Sequence, residues 1–188
     1  MNFNEKEIVE GCRNGNRLSQ KRLYEHLGGK MFAIALRYTK NRDDAQDVLQ
    51  DAFIKIFEHI STFRGDSPLE FWIRSIVVNT ALKHIRKQKI WTDIDDVYLK
   101  DEELENDDIS IAQFQYQQLM EFIQELPTGC QTVFNLYAIE GYKHHEIAEM
   151  LQISEGTSKS QFSRARTLLQ QKLTKEQRFD NESVGRKI

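Results

Sequence analysis

EIAEMLQISEGTSKSQFSRAR, residues 146–166, is the stretch whose reading decides the fold. It opens as a short amphipathic helix, expected over His144 to Leu151, with Ile147, Ala148 and Leu151 facing inward at three- and four-residue steps. Gln152, Ile153 and Ser154 then make a tight turn. Ser154 is a good N-cap for a helix expected to reach about Leu173. That last helix has two faces. Ser158, Phe162, Ala165, Leu169 and Leu173 point inward, and Lys159, Ser163 and Arg166 fall outside with Ser160 and Arg164 beside them. No Asp or Glu occurs between Gly156 and Lys175. Two helices joined by a tight turn match the helix-turn-helix pattern. A face without acids suits a polyanion, because each Lys or Arg near a phosphate releases counterions. Small polar residues at such a helix start reach base edges in the major groove. A solvated face in an ordinary bundle has the same pattern, so both readings stand at this level.

The flanking residues extend the helical pattern. Val133, Phe134 and Tyr137 mark the inner face of a helix over 129–140, broken by Gly141. A helix from Ile109 to Glu125 stops at Leu126-Pro127. Further upstream, Ala45, Val48, Leu49, Ala52, Phe53, Ile56, Phe57 and Ile60 keep helical steps, with Asp44, Asp47, Asp51 and Glu58 opposite. Weaker helices fit 5–13, 17–27 and 30–40, with breaks near Gly15 and at Gly28-Gly29. Ser67 and Pro68 suit the start of a helix that runs to about Gln88. Its inner stripe is Leu69, Trp72, Ile73, Ile76 and Val77, and its end is basic.

The net charge of -3 hides a change of sign. Residues 1–89 carry 16 Lys/Arg against 11 Asp/Glu, residues 90–125 carry 1 against 11, and residues 126–188 carry 9 against 7. Two mildly basic blocks therefore flank an acidic segment. Over 90–108 the acids are dense and the helical period is poor, so a flexible linker is expected. The fold class expected is all-α: two small helical domains, over 1–89 and 116–175, joined by an acidic flexible linker over 90–115 and followed by a frayed tail over 176–188.

Four residues near the basic end of the first block are candidates for holding unstacked bases of single-stranded DNA: Phe63, Phe71, Trp72 and Asn79. Asn79, Lys83 and Arg86 stack on one face by spacing. The alternative places Phe71 and Trp72 in the core, which for Trp72 is the better reading, and gives Asn79 a buried local hydrogen bond.

Other chemistries find little support. The longest apolar run, Met31 to Leu36, is too short to span a bilayer, and the polar, acidic start is unlike a secretion signal. Cys12 and Cys130 lie far apart, so two reduced thiols in a cytoplasmic protein are expected. His144, His145 and Glu146 lack the i, i+4 spacing of a metal helix, and Asp93, Asp95 and Asp96 lack the glycine and terminal glutamate of a calcium loop. No nucleophile–base pair, phosphate loop or dinucleotide fingerprint appears. Hence no catalytic residue, metal or cofactor is expected, and the chain is not expected to be an enzyme.

Three stretches together resemble a known family. RYTKNRDDAQDVLQDAFIKIF (37–57) is similar to region 2.1–2.2 of the extracytoplasmic-function (ECF) sigma factors, small members of the bacterial sigma-70 family. TFRGDSPLEFWIRSIVVNTALKHIRK (62–87) resembles their regions 2.3–2.4, and LPTGCQTVFNLYAIEGYKHHEIAEMLQISEGTSKSQFSRAR (126–166) their region 4. The resemblance implies a factor that binds RNA polymerase core, reads the -35 and -10 promoter elements and promotes DNA opening. It implies docking of Asp44, Asp47, Gln50 and Asp51 on the β′ clamp helices, with the β flap as a further polymerase contact. It implies -10 binding by Phe63, Asn79, Lys83, Arg86 and Lys87. It implies -35 binding by Lys159, Ser160, Ser163 and Arg164, with Thr157 and Arg166 on the backbone. The linker would thread toward the RNA exit path, where its acidity suits a channel built for a polyanion. The resemblance also implies a protein that is monomeric when free and an anti-sigma factor, often anchored in the inner membrane. A helix-turn-helix regulator that does not recruit polymerase is the alternative; it leaves the acidic helix and the FRGDS loop unexplained.

Two positions depart from the family pattern. Gln131 stands where Arg is frequent, which removes a phosphate contact, and Ser158 stands where an apolar residue is frequent, which weakens packing of the last helix. Ser163 is small where some members are bulky, so promoter preference does not transfer.

Overall fold

The computed structural model describes residues 4–87 and 116–185, with side chains of the last helix up to Lys175. The expected linker over 90–115, and the first part of the helix expected from Ile109, lie outside the described residues. The chain divides into two compact units, up to Lys89 and from Ile90. Among the described residues all regular structure is helical.

The first unit comprises α1 (Glu5–Arg13), α2 (Arg17–Leu36), α3 (Arg42–His59), a 3-10 turn (Ile60–Thr62) and α4 (Leu69–Lys87). Asparagines start three of these helices. The Asn4 side chain accepts from the Glu7 N–H, Asn16 from Leu18 and Ser19, and Asn41 from Asp44 at 2.8 Å. Gly15 turns the chain between α1 and α2 at a φ of 70°, where a side chain is strained. Helices α2, α3 and α4 pack pairwise, and α1 covers α2 and the 3-10 turn. Their shared core holds Leu23 and Met31 from α2, Val48 and Ile56 from α3, and Ile73 and Val77 from α4, all fully buried. Ala35, Ala45, Ala52 and Ala81 are also fully buried, and such small residues let helices approach closely.

The break expected at Gly28-Gly29 does not occur: α2 runs through both glycines. Each glycine costs a helix about 1 kcal/mol relative to Ala. Burial of Leu23, Leu27, Met31 and Ala35 on the same helix outweighs that cost.

The second unit comprises α5 (Tyr116–Glu125), α6 (Thr128–Phe134), a π-helical turn (Asn135–Ile139), α7 (His144–Leu151) and α8 (Glu155–Gly185). Its core gathers Leu119, Phe122, Ile123 and Leu126 from the α5 side, Cys130 and Phe134 from α6, and Ala165 and Leu169 from α8. Here the structure departs from sequence reading twice. Tyr137, expected inside, is 39% exposed. The Glu140 N–H bonds to the Asn135 carbonyl five residues back, so the turn is wider than an α-turn and the helical phase slips before Tyr137 can face the core. Helix α8 also does not end near Leu173; its backbone is helical to Gly185.

Candidate polymerase- and DNA-binding surfaces

The sequence-predicted site residues sit on three surfaces, two on the first unit and one on the second. The first is the outer face of α3. Asp47, Gln50 and Asp51 are exposed there, one turn apart. Asp44 is different. It lies at the helix start, half-buried, where the Asn41 amide donates to it at 2.9 Å and His84 Nε2 of α4 stands 3.3 Å from its other oxygen. Asp44 is thus engaged inside the unit, joining α3 to α4, and offers less to a partner than the three residues beyond it.

The second surface follows the loop before α4. Gly65 adopts a φ of 81°, and Arg64 to Pro68 are all exposed. The Pro68 carbonyl accepts from the Phe71 and Trp72 N–H groups, so Pro68 takes the cap position and α4 begins at Leu69, one residue later than expected. Asn79, Lys83, Arg86 and Lys87 are exposed along α4, so the buried alternative for Asn79 does not hold. Phe63 points the other way. Its ring is only 7% exposed and packs on Trp72 at 5.5 Å, while its carbonyl accepts from Arg13 Nη2. Phe63 anchors the loop from within. Trp72 is half-buried, and Phe71 is 60% exposed. Core packing was the better reading for Trp72, and for Phe71 it fails.

The third surface is built on the helix-turn-helix. Glu146 reaches back to accept from the Lys143 N–H at 2.7 Å and fixes the start of α7. Gln152 ends α7 in the left-handed conformation at a φ of 57°. Ser154 Oγ accepts from the Thr157 N–H at 2.9 Å, as its cap role requires, and lies 2.8 Å from the Thr157 hydroxyl. Helix α8 therefore leaves the turn in a set direction. Lys159 and Ser160 are exposed, and Thr157, Ser163, Arg164 and Arg166 are half-buried on the same outward arc. The Ser160 hydroxyl donates to the Thr157 carbonyl, which leaves its lone pairs for other donors. Lys159 pairs with Glu155 at 2.7 Å, and this ammonium holds the Glu155 carboxyl below its ordinary value.

Sequence reading missed the support behind that helix. Ser158 is fully buried, yet it does not weaken packing as an unpaired hydroxyl would: its Oγ lies 2.9 Å from His144 Nδ1. The His144 ring stacks on Tyr137 at 4.3 Å and meets Phe162 edge-on. A second buried polar residue, Gln161, accepts from Cys130 Sγ at 3.0 Å. No sequence signal links residues fourteen or thirty-one positions apart. Gln131 is fully buried on α6, so its side chain is not on a DNA-facing surface at all. Both cysteines are free and buried, and burial pushes both thiols up, for Cys130 against the pull of Arg164. Among the described residues no group of three or more His, Cys, Asp or Glu could hold a metal, and no helix is long and apolar enough to cross a membrane.

His144 carries a pH prediction. Burial, and then the Lys159 charge, hold it below its ordinary 6.5, with Glu155 pulling the other way. A histidine depressed in the folded state binds fewer protons folded than unfolded. Its contribution to stability is therefore complete above about pH 6.5 and is lost as the pH falls below it. The Glu155 contribution, from a carboxyl also held down, disappears only below its ordinary 4.5. Thermal melts of the second unit should show Tm falling through the first window. His144→Phe keeps a ring on Tyr137 but removes the titrating group, and should flatten that slope. An equal slope in both proteins would refute the assignment.

Comparison with known proteins places matches on both units. The family model Sigma-70 region 2 matches residues 23–90, and the model Sigma-70, region 4 matches residues 116–169. The chain is 32% identical over 145 residues to RNA polymerase sigma factor SigV of Bacillus subtilis, covering 77% of this chain and 85% of that one. It is 27% identical over 180 residues to RNA polymerase sigma-H factor of Pseudomonas aeruginosa, covering 90% and 93%. It is 27% identical over 177 residues to ECF RNA polymerase sigma-E factor of Escherichia coli, covering 88% and 92%. Among solved structures, a co-crystal of the sigma factor RpoE with the anti-sigma factor NepR from Bartonella quintana aligns at a TM-score of 0.50 and 23% identity, covering 82% of this chain and 96% of that one. At that identity the likeness bears on fold.

Proposed function

Because the chain belongs to the sigma-70 family, in its ECF group, we propose that each of its three surfaces carries one step of promoter-directed transcription initiation. The chain is an ECF-type sigma factor. The reading rests above all on one correspondence: the two family regions fall one on each compact unit. The first unit, over 1–89, docks on the β′ clamp helices through Asp47, Gln50 and Asp51, with Asp44 behind them, and charge matching sets orientation and on-rate. The loop held by Phe63, together with Asn79, captures an unpaired base of the -10 element, while Lys83, Arg86 and Lys87 hold its phosphates. Opening the duplex costs a few kcal/mol per unstacked base, so a base trapped outside the stack favours the open state. The second unit, over 116–175, meets the β flap and reads the -35 element with Lys159, Ser160, Ser163 and Arg164, while Thr157 and Arg166 hold the backbone. Chemistry stays with the polymerase, and the protein works without a cofactor in the cytoplasm. An anti-sigma factor, membrane-anchored in many members of the family, would keep it silent by covering these surfaces. The anti-sigma complex of the structurally similar RpoE supports that part.

Run-off transcription tests the reading. Core polymerase, this chain and a promoter library varied at the -35 and -10 elements should give transcripts that depend on the chain. Asn79→Ala, or Lys159→Ala with Arg164→Ala, should lower them by about tenfold or more, since each lost charged or bidentate contact is worth about 1–3 kcal/mol. Duplex binding without any transcript would instead favour a regulator that does not recruit polymerase.

A further inference from the structure

Lys159 enters the -35 reading as a lone cation, and the structure gives it a partner. We infer that Glu155 and Lys159 together read a single C·G base pair in the major groove, with Glu155 on the cytosine, an assignment that rests on the -35 reading of α8. An acid in the first turn of a helix is ordinary, because it complements the dipole, and an exposed pair at i, i+4 adds little stability. Neither fact carries the assignment. What carries it is where the two charges stand. Both side chains are exposed, and the Glu155 Oε1 oxygen lies 2.7 Å from the Lys159 ammonium. Ser160 and Ser163, two of the other proposed base readers, follow on the same helix. The start of such a helix is the part that meets base edges. Bringing Lys159 to a base therefore brings Glu155 into the groove with it. There a carboxylate stands among phosphates, and it weakens binding unless a donor meets it. No other acid occurs from Gly156 to Lys175, so Glu155 is the exception on a face otherwise free of acids.

Base chemistry selects the donor. The Lys159 hydrogen bond and charge hold the Glu155 carboxyl below its ordinary value, so it is ionised at neutral pH and can only accept. The major groove offers two donors, the amino groups at cytosine N4 and adenine N6. In a C·G pair, N4 is itself hydrogen-bonded to guanine O6 at about 2.9 Å, close to the spacing of the charged pair. The carboxylate can meet N4 while the ammonium meets O6 and the guanine N7 beside it. An A·T pair fits worse at both ends. Adenine N7, an acceptor, adjoins N6 and repels the carboxylate, and the thymine methyl adjoins O4 and offers the ammonium nothing. The charged pair is formed before DNA arrives, which spares ordering these two side chains on binding.

The test uses holoenzyme assembled from core polymerase and the full chain. The probe is a pool of DNA duplexes of randomised sequence, and the bound fraction is sequenced. The parent should select a cytosine at one position of the upstream element that Glu155→Ala no longer selects, with discrimination there falling about fivefold or more. Preferences at the other positions should not move. Lys159→Ala should relax the same base pair. Glu155→Gln should shift the preference there from cytosine toward adenine, because an amide is bidentate to N6 and N7. A purely structural role for Glu155 cannot produce that shift. Parent-like selection by Glu155→Ala would overturn the assignment, as would a uniform change in affinity for all sequences or a change at a base other than cytosine. A parent holoenzyme that selects no upstream sequence at all would overturn the -35 reading and this inference with it.

Discussion

Reversing two charges on α3, Asp47→Lys with Asp51→Lys, is expected to weaken binding to core polymerase by about 100-fold or more. Both side chains are exposed and lie one turn apart on the proposed docking face. Placing like charges against a partner costs several kcal/mol, and each 1.4 kcal/mol is tenfold in affinity. About 3 kcal/mol therefore suffices for the predicted loss. Folding should be spared, because neither position is in the first turn of α3, and substitutions at such surface sites usually change stability by less than about 0.5 kcal/mol. Titration of labelled protein with core polymerase, followed by fluorescence anisotropy, gives the affinity, and thermal melting gives the control. The defect should shrink as salt is raised. An unchanged affinity at low salt would remove α3 from the interface.

Leu169→Ala is expected to separate the two units functionally. Leu169 is 1% exposed and sits in the core that gathers helices α5, α6 and α8. Truncating a buried leucine costs about 2–5 kcal/mol, part lost transfer energy and part the cavity left behind. A unit this small buries a modest share of its surface and has little stability in reserve. The second unit should then be largely open at physiological temperature. Hydrogen exchange should show lost protection over 116–173 and retained protection over 4–87. Binding to -35 duplex should disappear, and binding to core polymerase through α3 should persist in weakened form. Unchanged protection of the second unit would mean that its core does not depend on this contact.

Much of the site was legible because its signals are local. The Ser154 cap, the turn through Gln152 and the inward series Phe162, Ala165, Leu169 are each written within one or two turns of chain, and the structure places them as expected, with Phe162 partly buried against the core. The α3 period is of the same kind. Less legible were features that depend on what comes to lie opposite. Period alone put Tyr137 inside, and a π-helical turn moved it out. Gly28-Gly29 read as a break, and packing around Leu27 and Met31 carried the helix through. The family resemblance put Asp44 on the docking face, yet His84 and Asn41 draw it into the unit.

By itself the sequence determined the helical class, the helix-turn-helix, the acidic face of α3 and the resemblance to ECF sigma factors. These follow from periodicity, caps and charge order, which a linear chain records directly. Only the tertiary structure decided which aromatic ring at the loop is buried and which is open, and how a serine fits the inner face of α8. Phe63 and Phe71 lie only eight residues apart, but one packs on Trp72 and the other meets solvent. Ser158 is tolerated because His144, fourteen residues away, supplies its hydrogen bond. Burial and polar satisfaction are properties of pairs brought together by folding, and no single residue's identity carries them.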